Sequence, residues 1–413
     1  MNAATTDNNA VKRARFTTVS LTVLCQSFQA LSMGGIALLL PVIRRDLGLS
    51  FTQGGTLAAA TTLVYTLMQI PAGYLSDRFS PKRLFIIGIL GSTVLALTFG
   101  LVSNYWQALV NQTLSGFFRA LLFIPGMALI TGWFPENRRA TATGLYLVGG
   151  ATGSLFFNLV GPLLVARFSW RFAFISIAAV GIIAILFLWR YGKDSPNLVE
   201  RRKGNMFEVL QLFRYKIMWV CGGIQYIRLG VMMGITYWLP SLLISEKGLS
   251  LGITGYIIAA QAILMVPSNI LGGYISDRLK NPILVIGVSL GALSITTVLL
   301  ISASSIALLV TLICLNALFL QMYFGPLFSV PVEVLGVGKA GMSAGFSNFF
   351  ANLGGFSSTY LLGVLKDATG VFKSGFLVIS GVCLVGLALT LVLWRIRRQN
   401  ITMGKSDYQR EQS

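Results

Sequence analysis

Histidine is absent from the 413 residues, and only 13 carboxylates stand against 32 lysines and arginines. Without histidine the chain lacks the usual proton carrier at neutral pH. Charged residues make up 11% of the chain against 55% hydrophobic, with a mean hydropathy of +0.75, a balance that speaks against a soluble surface. Four cysteines (Cys25, Cys221, Cys314, Cys383) lie far apart within apolar runs. That spacing supports neither a disulfide framework nor a zinc site, and they read as small buried hydrophobes. Gly336-Val337-Gly338-Lys339 is followed by alanine and lacks the earlier glycine of a phosphate-binding loop, so no ATPase is indicated. No cluster of acids marks a membrane enzyme, and no cofactor is expected. The run after Arg15 carries no charge as far as Ile43, longer than a signal-peptide core of about 7 to 15 residues.

What the chain has in abundance is apolar runs of the length that crosses a bilayer, about 20 residues. Twelve are predicted: 17–42, 53–75, 84–102, 106–132, 141–165, 172–190, 217–243, 252–275, 283–302, 305–329, 341–364 and 375–394. They are continuous rather than alternating, which favours helices over barrel strands. A net charge of +19 could mark a nucleic-acid partner, but the basic residues sort by side. With the N-terminus inside, most lie in cytoplasmic segments, as the positive-inside rule requires. No nucleic acid is therefore expected, and the largest cluster, Lys193 to Lys216, reads as topology and headgroup contact.

A shift of 200 residues places Gly48-Leu49-Ser50 on Gly248-Leu249-Ser250, and Gly73-Tyr74-Leu75-Ser76-Asp77-Arg78 on Gly273-Tyr274-Ile275-Ser276-Asp277-Arg278. The offset spans six helices, an even number, so the two halves are parallel repeats of the kind that share a cavity. The expectation is an all-α membrane protein with twelve transmembrane helices in two pseudo-symmetric six-helix bundles. It divides into an N-terminal tail 1–16, a first bundle 17–190, a linker 191–216, a second bundle 217–394 and a tail 395–413. Both termini would be cytoplasmic in the cell membrane, the bacterial inner membrane in particular, and a monomer would suffice.

The loop Gly73-Tyr74-Leu75-Ser76-Asp77-Arg78-Phe79-Ser80-Pro81-Lys82-Arg83 resembles the signature of the major facilitator superfamily. Ser80 and Pro81 depart from it, as does the second copy at Lys280-Asn281-Pro282. The resemblance implies alternating access, with Asp77, Arg78, Lys82, Arg83, Asp277 and Arg278 as gating residues. A carboxylate here can cap a neighbouring helix N-terminus while the cations pair across the seam between halves.

Charges inside a span are costly, and two are present, Arg119 in span four and Arg228 in span seven, with no Asp or Glu inside any span. Guanidinium groups without a carboxylate are best served by an anionic ligand, often bidentately. A ligand touching both would couple binding to movement of the halves. Gln225, three residues before Arg228 and on the same helical face, together with Gln261, Gln321, Asn348 and Asn352, completes the candidate substrate set. Glycines Gly149, Gly150 and Gly153 in span five are predicted to form a close helix-packing surface.

The segment from Gly116 to Gly144, Trp238-Leu239-Pro240 and Asn348 to Gly370 looks like the anion:cation symporter branch. The likeness implies a secondary active transporter for a small organic anion, a carboxylate or sulfonate, with protons as the candidate coupling ion. That branch typically has acids in spans one and four, where this chain has Gln26, Gln29 and Arg119. Proton symport and anion exchange therefore both stay open, with Glu333 at a span end as a titratable alternative. Efflux of a drug or metabolite by proton antiport is the competing reading.

Overall fold

A computed structural model describes residues 2–135, 138–195, 214–335 and 340–411. Within them the description excludes the side chains of 2–10, 31–34, 332–335, 340–342 and 399–411, and those of Ile70, Gly73, Asp77, Arg139, Ala140, Thr141, Thr143 and Ala344. The described residues form thirteen helices and no strand. The first six are α1 (Asn2–Leu47), α2 (Phe51–Arg78), α3 (Pro81–Phe99), α4 (Tyr105–Thr131), α5 (Arg139–Arg167) and α6 (Trp170–Tyr191). The remainder are α7 (Lys216–Ser245), α8 (Leu251–Leu279), α9 (Pro282–Ser302), α10 (Ile306–Met322), α11 (Phe324–Leu335), α12 (Ala340–Thr369) and α13 (Phe372–Glu411).

Ten helical stretches among the described residues are long and apolar enough to cross a membrane, with α10 and α11 counting as one, Ile306–Pro331. Helices α2 and α12, of 28 and 30 residues, are long enough but more polar. In α2 the hydroxyls of Thr56, Thr61, Thr62 and Thr66 each donate to the carbonyl four residues earlier, so a threonine-rich helix satisfies its own polar groups. Span ten is broken at Tyr323, between α10 and α11. The cause is Pro326, which has no N–H for the Met322 carbonyl and whose ring crowds it. Leu327 N–H resumes the ladder at Tyr323 O, 3.1 Å away.

The chain divides into two compact units. The first is Met1–Lys203 with Pro240–Ala259, the end of α7 and the start of α8; the second is Gly204–Leu239 with Ala260–Ser413. Matched punctuation appears at positions related by the 200-residue shift. Gly48 and Gly248 take positive φ of 62° and 68°, the left-handed helix stop that glycine adopts without steric cost. Ser50 and Ser250 then open the next helices, accepting from Gln53 N–H at 3.1 Å and Ile253 N–H at 3.3 Å, and Gln53 completes a capping box. The departures from the loop signature are the same device. Ser80-Pro81 and Asn281-Pro282 are each an N-cap followed by proline at the first helical position.

In the first unit, α5 lies directly on α1 through the predicted glycines. A Cβ on Gly153 would sit 2.1 Å from the Ser27 carbonyl oxygen, and one on Gly149 2.7 Å from that of Val23. At the far end of the bundle Asp46 pairs with Arg171 and accepts from Trp170 Nε1 at 3.1 Å, while Arg171 donates to Val102 O at 2.9 Å. Phe99, Trp170 and Phe174 pack beneath, with ring centroids 5.1 to 6.2 Å apart. The α1–α5 contact leaves no room for a larger side chain. Gly153→Val is expected to cost about 1–3 kcal/mol or more and to lower the thermal midpoint of purified protein in detergent. Gly144→Ala, where a Cβ would meet nothing within 4 Å, leaves that midpoint in place.

Candidate functional site

Arg119 projects from α4 on the same face as Gln112 and Ser115, at spacings of seven and four residues. These three, with Gln29 of α1 and Ser92 of α3, line a small cavity of about 20 Å³, room for a single water. A chain of neutral bonds fixes the α4 face. Thr61 Oγ1 of α2, whose proton is shared with its own helix, lies 3.2 Å from Gln112 Oε1, Gln112 Nε2 donates to Asn111 Oδ1 (3.2 Å), and Asn111 Nδ2 donates to Leu95 O and Thr98 Oγ1 (both 2.9 Å). On the adjoining side Tyr65 of α2 lies within electrostatic reach of Arg119 and bonds Gln69. The hydroxyl of fully buried Tyr146 on α5 donates to Leu122 O (3.0 Å) and reaches Gln26 Oε1 at 2.9 Å.

In the second unit Arg228 on α7 is 3% exposed. Its Nε donates to Gln225 Oε1 at 2.7 Å, and its guanidinium lies 4.7 Å from the centre of the Phe324 ring. Gln321 reaches the same helix one turn on, Nε2 to Met232 Sδ at 3.9 Å. Tyr323, in the break of span ten, is within electrostatic reach of Arg228. Among the described residues, the Tyr323 hydroxyl, Gln321 Oε1, Gln225 Nε2 and Gln261 Nε2 are all buried without a hydrogen-bond partner. Buried polar groups left in this way stand ready for a ligand or water.

Of the sequence candidates, Gln225, Arg228 and Gln321 gather about the same turns of α7. Among the described residues no hydrogen bond joins Gln261, Asn348 or Asn352 to Arg228; Asn352 Nδ2 donates to Asn348 O of its own helix at 2.8 Å. Asn316, another polar residue within a span, bonds Thr296 and Thr297 at 3.2 Å each and braces two helices.

At the loop between α2 and α3, the capping carboxylate is that of Asp194, while the side chain of Asp77 lies outside the described residues. Asp194 Oδ2 accepts from Ser80 Oγ at 2.5 Å and its Oδ1 from Lys82 N–H at 3.1 Å; Lys82 Nζ donates to Trp189 O at 3.0 Å. Arg83 N–H donates to Ser80 Oγ at 3.2 Å. Arg78 stacks on Tyr74 at 4.3 Å. In the second copy the side chains of Asp277 and Arg278 are exposed. Most of the linker (196–213), the side chain of Glu333 and residues 336–339 lie outside the described residues.

Sequence reasoning missed Tyr65, Tyr146, Tyr323 and Gln112. A tyrosine counts as apolar in a hydropathy window, although each carries a hydroxyl that must be answered when buried. Gln112 was signalled by its seven-residue spacing from Arg119.

Matched helix stops and starts in the two repeated halves of the sequence, membrane-crossing helices, and an arginine inside a span of each compact unit define a duplicated multi-pass membrane carrier. The chain belongs to the Major Facilitator Superfamily, whose family model matches residues 22–359, and is accordingly a transporter rather than an enzyme. It is 26% identical to the D-galactonate transporter of Escherichia coli O6:H1, over 93% of this chain and 97% of the relative. It is 25% identical to the hexuronate transporter of Bacillus subtilis, over 85% and 88% respectively. Among solved structures, a bacterial homologue of the human lysosomal transporter Spinster, inward-facing and unoccupied, has the same fold. Its TM-score is 0.83 at 16% identity, covering 94% of this chain and 98% of that one.

The Asp194 cap makes a measurable demand on stability. Asp194→Ala removes the acceptor for Lys82 N–H and Ser80 Oγ and is expected to cost about 0.5–2 kcal/mol, read as a lower thermal midpoint. Asp277→Ala, at an exposed side chain, leaves the midpoint unchanged.

Proposed function

We propose that this chain is a secondary active transporter that moves a small organic anion, a carboxylate or sulfonate, across the cell membrane by alternating access. The observation that carries the reading is Arg228, a guanidinium inside a span whose contacts among the described residues are a neutral amide oxygen and an aromatic ring. Such a cation is poorly compensated in hydrocarbon, and an incoming anion supplies the charge that the protein withholds. Arg119 offers a second cation in the other unit, among neutral amides and hydroxyls. The relatives named for hexuronate and D-galactonate support an anion that carries hydroxyls. Uptake by proton symport or by anion exchange fits these residues better than efflux of hydrophobic cations, which two arginines within the spans would repel. Gating by Asp77, Arg78, Lys82, Arg83, Asp277 and Arg278 belongs to the same proposal, as do cytoplasmic termini, a bacterial inner-membrane location and function as a monomer.

The test is uptake into proteoliposomes of radiolabelled D-galactonate, D-glucuronate, tartrate and sulfoacetate. Losing a charge-assisted bond of about 1.5–3 kcal/mol at Arg119→Gln or Arg228→Gln is expected to reduce uptake of the best substrate about tenfold or more. Wild-type uptake by both variants, or no uptake of any of the four anions by wild type, refutes the anion carrier. Acceleration by an inward proton gradient identifies symport, whereas acceleration by the same anion loaded inside identifies exchange.

A further inference from the structure

We infer that Gln225 is the positioning residue that keeps Arg228 available to an anion and sets which edge of the guanidinium the anion meets. The inference rests on the proposed anion-carrier reading and goes beyond it by assigning Gln225 a role on Arg228. A guanidinium has five N–H donors and two faces. Here the Nε–H is held by Gln225 Oε1 at 2.7 Å and one face lies 4.7 Å from the Phe324 centroid. The terminal Nη1–Nη2 edge is what remains, and that edge binds a carboxylate or sulfonate through two parallel bonds.

The rest of the surroundings agree with this assignment. Gln225 is fully buried and its Nε2 has no partner among the described residues, and the buried Tyr323 hydroxyl has none among them either. Both are neutral groups able to donate to an oxyanion beside Arg228. The described titratable group within electrostatic reach of Arg228 is Tyr323, and Tyr323 in turn faces Cys383 of α13. None of these is a carboxylate, so nothing described in this pocket cancels the cation.

The identity of residue 225 then decides what Arg228 can do. A glutamine oxygen holds the Nε–H without charge and leaves the positive charge for the ligand. A glutamate at this place would hold the same N–H and neutralise the cation in situ, a closed buried ion pair with little left for an external anion. Retention of structure and retention of transport are therefore expected to part company at this position, which a purely bracing glutamine would not allow.

The experiment compares wild type with Gln225→Glu, Gln225→Met and Arg228→Gln in proteoliposomes. It uses whichever of radiolabelled D-galactonate, D-glucuronate, tartrate or sulfoacetate wild type takes up fastest, and measures in parallel the thermal midpoint in detergent with and without that anion. Gln225→Glu is expected to keep or raise the midpoint of the empty protein, to lose the anion-induced rise, and to raise KM about tenfold or more. Gln225→Met keeps the charge but frees the guanidinium to turn, and is expected to raise KM about threefold to tenfold with the maximal rate retained. Should Gln225→Glu fail to fold, the methionine variant decides by its KM. Wild-type KM in Arg228→Gln overturns the anion reading itself. Loss of uptake in Arg228→Gln with wild-type KM in both Gln225 variants overturns only the role assigned to Gln225.

Discussion

Backbone N–H and C=O groups find no water inside a bilayer, so each must be answered within the chain. That constraint accounts for the thirteen helices, for the threonines of α2 that bond their own preceding turns, and for the concentration of caps at Ser50, Ser80, Ser250 and Asn281. It also gives weight to the exception. Pro326 ends α10 at Met322, and this interruption places Tyr323 and Phe324 beside Arg228. Non-helical backbone at membrane depth belongs where protein or a binding cavity shelters it, and here it coincides with the most buried arginine of the second unit.

The electrostatics of the two units follow one pattern with different means. In the first, Gln112, Asn111, Thr61 and Thr98 form a relay of neutral bonds that orders the α4 face carrying Arg119. In the second, the Gln225 amide and the Phe324 ring hold Arg228. Neither arrangement brings a carboxylate into contact through a described hydrogen bond. Where acids do appear in described contacts, Asp46 with Arg171 and Asp194 with the start of α3, they sit at helix ends and serve packing or capping. Charge is thus used structurally at the ends of the helices, while Arg228, within a span, meets a neutral amide and a ring among the described residues.

Much of the fold could be read from the residues. Long apolar runs mark the spans, and the 200-residue offset that aligns Gly48 with Gly248 turns out to align helix stops, each at positive φ. Gly149 and Gly153 were legible as a packing face because small residues four apart admit a neighbouring backbone. Arg119 and Arg228 stand out in apolar surroundings, and the spacing of three from Gln225 to Arg228 placed the two on one helical face. The Asp194 cap was not legible, since it joins residues 112 and 114 positions apart and no local pattern records such a distance. Nor was Tyr323, whose place depends on a break whose signal, Pro326, comes three residues later.

The paired punctuation has an evolutionary consequence. After a duplication, every position is free to drift in one copy while the other preserves the original. Here glycine stops and serine starts persist in both copies, whereas the span interiors have diverged, to the point that Arg119 and Arg228 occupy unrelated helices of their halves. Helix ends and helix interiors thus behave as separable heritable modules. A lineage can exchange a few interior side chains and acquire a different cargo while inheriting the folding instructions intact.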